Sequence, residues 1–193
     1  MNTAVTEKPS VTIADFPVVY KPRFISNPDA VFESLWAELD WERRPNTPRK
    51  EYWTNVFGRS YTYGKREERT YESRVTHPAI EEVSDALEAE LGFRYEGCFL
   101  NGYADASDSL GPHADDDPNI DHSRPIAVVT VGDGRDIECI DKETGSRIRI
   151  FLESGSLFLM NAGMQSTHLH RIPKAGFVVK RPRISLTYRG LFA

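Results

Sequence analysis

Asn101-Gly102-Tyr103 and Pro112-His113-Ala114-Asp115-Asp116-Asp117, answered late in the chain by His168-Leu169-His170 and Arg183-Ile184-Ser185-Leu186-Thr187-Tyr188-Arg189, decide how this sequence is read. In the last segment Arg183, Ser185, Thr187 and Arg189 alternate with Ile184, Leu186 and Tyr188, the period of a strand with one polar and one apolar face. Asn101 and Tyr103 repeat that spacing, as do His168 and His170. Outward from these segments, residues from Phe93 onward read as short strands at 97–103, 126–131, 135–140, 147–152, 156–160, 165–169 and 183–188. Turn chemistry separates them at Gly132-Asp133-Gly134, Lys142-Glu143-Thr144-Gly145, Glu153-Ser154-Gly155 and Pro173-Lys174-Ala175-Gly176. Many short strands at this interval predict a sandwich or double-sheet jelly roll, the double-stranded β-helix.

Two helices precede the strands, so the fold class is α+β, mostly β. Asn27 caps the first, Pro28 opens it, and Val31, Phe32, Leu35, Trp36 and Leu39 form its apolar stripe. Pro78 opens the second, Ile80, Val83, Leu87 and Leu91 line it, and Gly92 ends it. His77 belongs to the entrance of that helix, and the acids at 81, 82, 85, 88 and 90 form its wet face. Both helices should pack on the outside of one sheet.

With 193 residues, 39% of them hydrophobic and 27% charged, the chain fits one domain over 11–193 behind a loose polar tail at 1–10. No apolar run reaches membrane-spanning length and Met1–Lys8 lacks a signal-peptide core, so a cytoplasmic monomer with no membrane partner is expected. Cys98 and Cys139 belong to no CxxC and read as buried free thiols. A net charge of −5 argues against a protein that simply coats nucleic acid. Residues 41–74 nevertheless hold nine Lys/Arg against five Asp/Glu. Arg43-Arg44-Pro45-Asn46-Thr47-Pro48-Arg49-Lys50 is loop chemistry, and Tyr52, Trp53, Phe57, Tyr61, Tyr63 and Tyr71 follow it. Cations for phosphates and rings for bases suit a nucleic-acid surface, and we read 41–74 as a substrate-recognition lid. The plainer alternative packs Tyr61 and Tyr63 on the core.

His113 and Asp115 follow a turn-rich loop at 105–112, and two apart in an extended segment they direct an imidazole and a carboxylate to one side. With a distant second histidine they can hold a ferrous ion on one face and leave the opposite positions open. His168 or His170 can supply that third ligand by spacing alone, whereas His122 sits in a polar loop. Two arginines on the face shared by Arg183 and Arg189 need an anionic partner if turned inward. A dicarboxylate such as 2-oxoglutarate offers one carboxylate at each end, and Asn101 and Tyr103 can add neutral hydrogen bonds. These residues point to a non-haem iron oxygenase.

In order along the chain, the motifs resemble the AlkB family of iron(II)- and 2-oxoglutarate-dependent dioxygenases. The family pattern runs N-x-Y, H-x-D with further acids, G-x-x-R-D, G-S-L, a histidine followed closely by proline, and R-x-N-x-T-x-R. This chain has Asn101-Gly102-Tyr103, His113-Ala114-Asp115-Asp116-Asp117, Gly132-Asp133-Gly134-Arg135-Asp136, Gly155-Ser156-Leu157, His170-Arg171-Ile172-Pro173 and the 183–189 segment. Fainter likeness reaches Pro48-Arg49-Lys50 and Tyr61-Thr62-Tyr63. The resemblance implies His113, Asp115 and His170 as iron ligands, with His170 preferred over His168 for the Ile172-Pro173 behind it. It implies Arg183 and Tyr103 at the distal carboxylate of 2-oxoglutarate, and Arg189, Asn101 and Ser185 toward the metal. It implies Asp117, Tyr61, Tyr63, Arg49 and Lys50 as substrate contacts, dioxygen as second co-substrate, and oxidative demethylation of N-alkylated bases in DNA or RNA, flipped out or single-stranded. Ser185 replaces the family's asparagine, and Pro112 replaces a bulky residue before the histidine. The competing readings are the same hydroxylation on a protein, modified RNA or small molecule, a cupin-like metal enzyme, and a non-catalytic jelly-roll binding module.

Overall fold

The computed structural model describes residues 11–13, 16–45, 47–63 and 68–193. The expected tail at 1–10 lies outside the described residues, as do Asn46, Lys65 and Arg66 of the basic stretch. In chain order the elements are β1 (Val11–Thr12), β2 (Val18–Lys21), α1 (Pro28–Glu38), β3 (Lys50–Asn55), β4 (Tyr61–Tyr63), β5 (Arg69–Tyr71), α2 (Pro78–Leu91) and β6 (Gly97–Tyr103). Then follow β7 (Leu110–His113), β8 (Ile126–Gly132), β9 (Arg135–Asp141), β10 (Arg147–Leu152), β11 (Leu157–Met160), α3 (Met164–Thr167), β12 (His168–Ile172) and β13 (Arg183–Arg189).

A seven-stranded sheet runs in the order β1-β2-β11-β8-β13-β6-β3, and a four-stranded sheet in the order β10-β9-β12-β7. Every pairing is antiparallel. This is the expected two-sheet jelly roll. β4 and β5 form a separate hairpin in register Tyr61↔Tyr71 and Tyr63↔Arg69.

The large sheet is covered on both faces, which is why every residue of β6, β8 and β13 is buried. On its outer face Leu100, Val129, Ile184, Leu186 and Tyr188 pack with Val31, Phe32 and Leu35 of α1 and Ile80, Val83 and Leu87 of α2. Each such side chain contributes about 1.5–3 kcal/mol on leaving water. On its inner face Tyr103, Ile126, Val128, Phe158 and Met160 meet Ile137, Cys139, Leu152 and Ile172. The alternation of β13 therefore separates an apolar face from a polar face that is also buried.

The ends of the helices behave differently. His77 caps α2 by accepting the Ala79 N–H on Nδ1, and Gly92 closes it in the left-handed region at φ 79°. Asn27 stands at the N-terminus of α1 but makes no side-chain cap there. Both cysteines are buried and free, and burial pushes the Cys139 thiol up to about 12. No helix of the described residues is long and apolar enough to cross a membrane.

Besides the Asn27 cap, two expectations are corrected. The strand at 165–169 splits into α3 and β12. Gly163, at φ 81°, starts the turn, and Ser166 and Thr167 return hydroxyl hydrogen bonds to the carbonyls of Gly163 and Met164. Lys142 Nζ then donates to the Gln165 and Ser166 carbonyls, holding the turn in place. Second, the turn-like run 105–112 ends in a strand, because Leu110–His113 pairs with β12 around a register shift between His170 and Ile172.

Candidate active site

β7 and β12 bring two imidazoles together by register. His113 lies directly across from His170, with ring centroids 4.2 Å apart. Asp115 follows two residues past the end of β7. Its backbone N–H donates to Gln165 Oε1 at 2.9 Å, and its carboxylate accepts Arg189 Nη2 at 2.8 Å and Nε at 3.3 Å. Candidate ligand atoms of His113, Asp115 and His170 all lie within 4.8 Å of one another, the one such group of three among the described residues. His113 Nδ1 sits 2.9 Å from the Gly111 carbonyl, which places its proton there and leaves Nε2 as the lone-pair nitrogen. The buried His170 Nδ1 has no hydrogen-bond partner among the described residues.

The electrostatics favour a cation at this point. Burial, reinforced by the neighbouring His113, brings the His170 imidazole down to about 3. Burial also lowers His113. Burial opposes ionisation of Asp115, but Arg189 and the two imidazoles together outweigh it and hold the carboxyl at about 2. Two neutral imidazoles and one ionised carboxylate form a donor set that fits iron(II).

The spacing alone left His168 and His170 equivalent, and the fold separates them. His168 pairs across from Asp141 on β9, with Nε2 3.6 Å from the Asp141 carboxylate. Its Nδ1 is 2.7 Å from Thr167 Oγ1 and its ring packs on Phe16 at 5.3 Å. His122 bonds the Asp117 carbonyl through Nε2 at 3.0 Å.

At the other end of β13 the polar face holds an arginine without an acid. Arg183 is 1% exposed, and its one side-chain hydrogen bond among the described residues is from Nη2 to Thr130 Oγ1 at 2.9 Å. Its Nε and Nη1, and the Tyr103 hydroxyl, lack hydrogen-bond partners among the described residues. Burial, with the charge of nearby Arg135, brings the Arg183 guanidinium down to about 10. Unpaired donors in a buried cationic corner fit one carboxylate of a dicarboxylate.

From the Arg189 end as far as Tyr103 runs a cavity of about 740 Å³, whose lining includes His113, Asp115, Asp117, His170, Asn101, Tyr103, Ser185, Arg189, Arg49, Tyr61 and Tyr63, whereas Arg183 does not line it. Asn101 Oδ1 accepts from Arg49 Nε at 2.6 Å. Tyr61 packs on Trp53 and Phe99, and Tyr63 stacks on Tyr71 with an interplanar angle of 8°. Both tyrosines thus pack on apolar neighbours and line the cavity at once. Asp117 Oδ1 accepts from the backbone and side-chain nitrogens of Asn119. Lys50 is not brought to the cavity. It occupies the opposite face of β3 from Arg49 and Glu51, with its ammonium 4.5 Å over the Trp36 ring on the helix side.

Residues not singled out from sequence complete the site. Glu51, fully buried, takes Arg49 Nη2 at 2.5 Å and the Tyr63 hydroxyl at 3.1 Å on Oε1, and the Tyr71 hydroxyl on Oε2. Gln165 anchors the Asp115 backbone. A single glutamate before Tyr52, or a glutamine in an assumed strand, carries no sequence signal for either role.

The model of the 2OG-Fe(II) oxygenase superfamily matches residues 32–189. The chain is 28% identical over 188 residues to Alpha-ketoglutarate-dependent dioxygenase alkB homolog 3 of Bos taurus, covering 85% of this chain and 62% of that protein. It is 27% identical over 188 residues to DNA oxidative demethylase ALKBH2 of Homo sapiens, covering 83% of this chain and 67% of that protein. The chain thus spans less than two thirds of the alkB homolog 3 protein. The solved structure of OsALKBH1 superposes with a TM-score of 0.66 at 14% identity, over 94% of this chain and 100% of the other, a likeness of fold.

Proposed function

The chain belongs to the 2OG-Fe(II) oxygenase superfamily, and we propose that it is an iron(II)- and 2-oxoglutarate-dependent dioxygenase that oxidatively demethylates N-alkylated nucleobases of DNA or RNA. The observation that carries this reading is one cavity lined by the His113, Asp115 and His170 cluster and by the flat tyrosine wall of Tyr61 and Tyr63. His113, Asp115 and His170 would hold the metal. Bound iron(II) with 2-oxoglutarate supplies the oxidation: one oxygen atom of dioxygen ends in succinate as carbon dioxide leaves, and the other hydroxylates the N-methyl carbon, which departs as formaldehyde.

The protein's part is orientation and exclusion of water. Arg189 holds the Asp115 carboxylate turned toward the imidazoles. Arg183 and Tyr103 receive the distal carboxylate, while Asn101 and Ser185 line the path toward the metal. Tyr61 and Tyr63 offer faces against which an extruded base stacks, worth about 1–3 kcal/mol per base. The hairpin β4–β5 and the basic residues Arg43 and Arg44 then act as the recognition lid. Glu68, Asp116 and Asp117 line the same cavity. A ring-methylated adenine or cytosine carries positive charge, so this acidic lining suits it better than the unmodified base. The name DNA oxidative demethylase borne by a relative agrees with this substrate.

The test is an aerobic incubation with iron(II), 2-oxoglutarate and an oligonucleotide carrying N-methylated adenine or cytosine, read by mass spectrometry. Loss of the methyl group with wild type and His168→Ala, but not with His113→Ala or His170→Ala, is expected. Succinate without demethylation would move the substrate to a protein, another modified RNA or a small molecule. Metal binding without succinate would leave a binding module.

A further inference from the structure

Arg135 opens β9 behind the turn Gly132-Asp133-Gly134, and no role above uses it. Gly132, at φ 87°, admits no side chain, since a Cβ would stand 2.3 Å from the Pro182 carbonyl. The turn therefore delivers Arg135 inward, where it is 1% exposed. Among the described residues its guanidinium bonds no carboxylate. Nη1 donates to the Asp105 carbonyl at 3.2 Å, and Nη2 donates to the carbonyls of Asp108 and Pro173, both at 2.8 Å. The Asp108 carboxylate close by is already engaged, by Arg43 on one oxygen and the Ala104 N–H on the other.

Three carbonyls satisfy its N–H groups but carry no net charge; Asp108, Asp105 and Asp136 attract the guanidinium only through space, and burial outweighs them, so the cation is costly to hold there. A neutral amide could satisfy backbone carbonyls without that penalty. The position of the charge supplies the reason for it. Arg135 lies 5.6 Å from the Tyr103 ring centroid and Arg183 lies 5.1 Å from the same centroid. Two buried guanidiniums thus share one tyrosine whose hydroxyl, like two Arg183 nitrogens, has no hydrogen-bond partner among the described residues.

We propose that Arg135 is a positioning and specificity residue for the co-substrate: it fixes Tyr103 and the 105–108 turn and adds the second positive charge that selects a 2-oxo diacid over a 2-oxo monoacid. The proposal rests on the reading above that 2-oxoglutarate binds with its distal carboxylate at Arg183. Selection follows from charge. The distal carboxylate of a diacid offsets one of the two positive charges, whereas a monoacid of equal length leaves both buried cations facing an alkyl end.

The experiment is calorimetric titration of the Mn(II)-loaded protein, which reads binding without turnover, using 2-oxoglutarate and 2-oxovalerate on wild type, Arg135→Gln and Arg135→Lys. Mn(II) affinity is measured beside it. Wild type should favour 2-oxoglutarate. Arg135→Gln should weaken 2-oxoglutarate about tenfold and leave 2-oxovalerate and Mn(II) unchanged, and Arg135→Lys should restore much of the preference because it keeps the charge. An unchanged preference in Arg135→Gln overturns the proposal. So does a preference lost as fully in Arg135→Lys as in Arg135→Gln, or a parallel loss of Mn(II) and both acids, since each makes Arg135 a structural clamp. A wild type that binds Mn(II) but not 2-oxoglutarate would instead overturn the proposed function on which the inference stands.

Discussion

Arg189 and Arg183 stand six residues apart on the same face of β13, both buried, and they differ in their partners. Arg189 meets Asp115 with two hydrogen bonds, and that pairing raises its pKa despite burial. Among the described residues Arg183 hydrogen-bonds only the Thr130 hydroxyl, and burial brings it down to about 10. At the metal end the protein supplies its own anion and uses the arginine to orient a carboxylate. At the far end it leaves a cation that, under the proposed function, meets an anion from outside. A buried pair of the first kind is costly to break, and a buried charge of the second kind costs stability that a ligand returns.

The largest expected effect tests that division directly. Arg189→Met strands the Asp115 carboxylate in a buried site and should destabilise the metal-free protein by about 3–5 kcal/mol. Arg183→Met removes an uncompensated cation and should leave ligand-free stability at or above wild type. Urea unfolding of both variants checks this, and equal losses would erase the distinction. Next in size, Arg183→Met should weaken 2-oxoglutarate about 100-fold through loss of charge-assisted hydrogen bonds. A titration of 2-oxoglutarate dependence reads it.

A smaller effect concerns pH. His170, held at about 3, and His113, also lowered, have folded pKa values below the unfolded value near 6.5. Above about pH 6.5 both states hold neutral imidazoles and the contribution is complete. Below it the unfolded chain binds protons that the folded site refuses, so metal-free stability should fall by about 1–3 kcal/mol between pH 6.5 and 4. Asp115, lowered to about 2, contributes above its unfolded value near 3.9 and is lost only at lower pH. His170→Gln should flatten the upper part of that profile in urea melts. A profile as steep as wild type would remove His170 as its source.

The smallest effect separates two neighbours at the start of β3. Lys50→Ala loses a ring contact worth about 0.5–1 kcal/mol and should leave substrate KM unchanged. Arg49→Ala unpairs Glu51 and should disturb KM and stability together. A KM that responds equally to both would return Lys50 to the substrate side.

Where alternation was strict, the sequence was legible. Asn101 and Tyr103 on β6, and Arg183 to Arg189 on β13, fall on one inner face as their spacing predicts. His113, Asp115 and His170 converge because β7 and β12 pair, although β7 itself was hidden. Its four residues include Gly111 and Pro112, which read as turn residues, and pairing with β12 overrides that preference. Local pattern also failed at 165–169, where Lys142, distant in sequence, supports a turn of helix. Lys50 was misplaced because a run of cations does not reveal which face of β3 each occupies. The partners of Glu51, Gln165 and Arg135 come from separate strands and loops, so no window of sequence contains their roles.

The most direct test of the unpaired-arginine account is a thermal melt of the Mn(II)-loaded protein with and without saturating 2-oxoglutarate, wild type beside Arg183→Met. A wild type that rises by several degrees, at about 2–4 °C per kcal/mol of binding, while the variant starts at least as stable and does not move, is the predicted result. A variant that rises as far as wild type would contradict it, because the carboxylate would then be held by something other than Arg183.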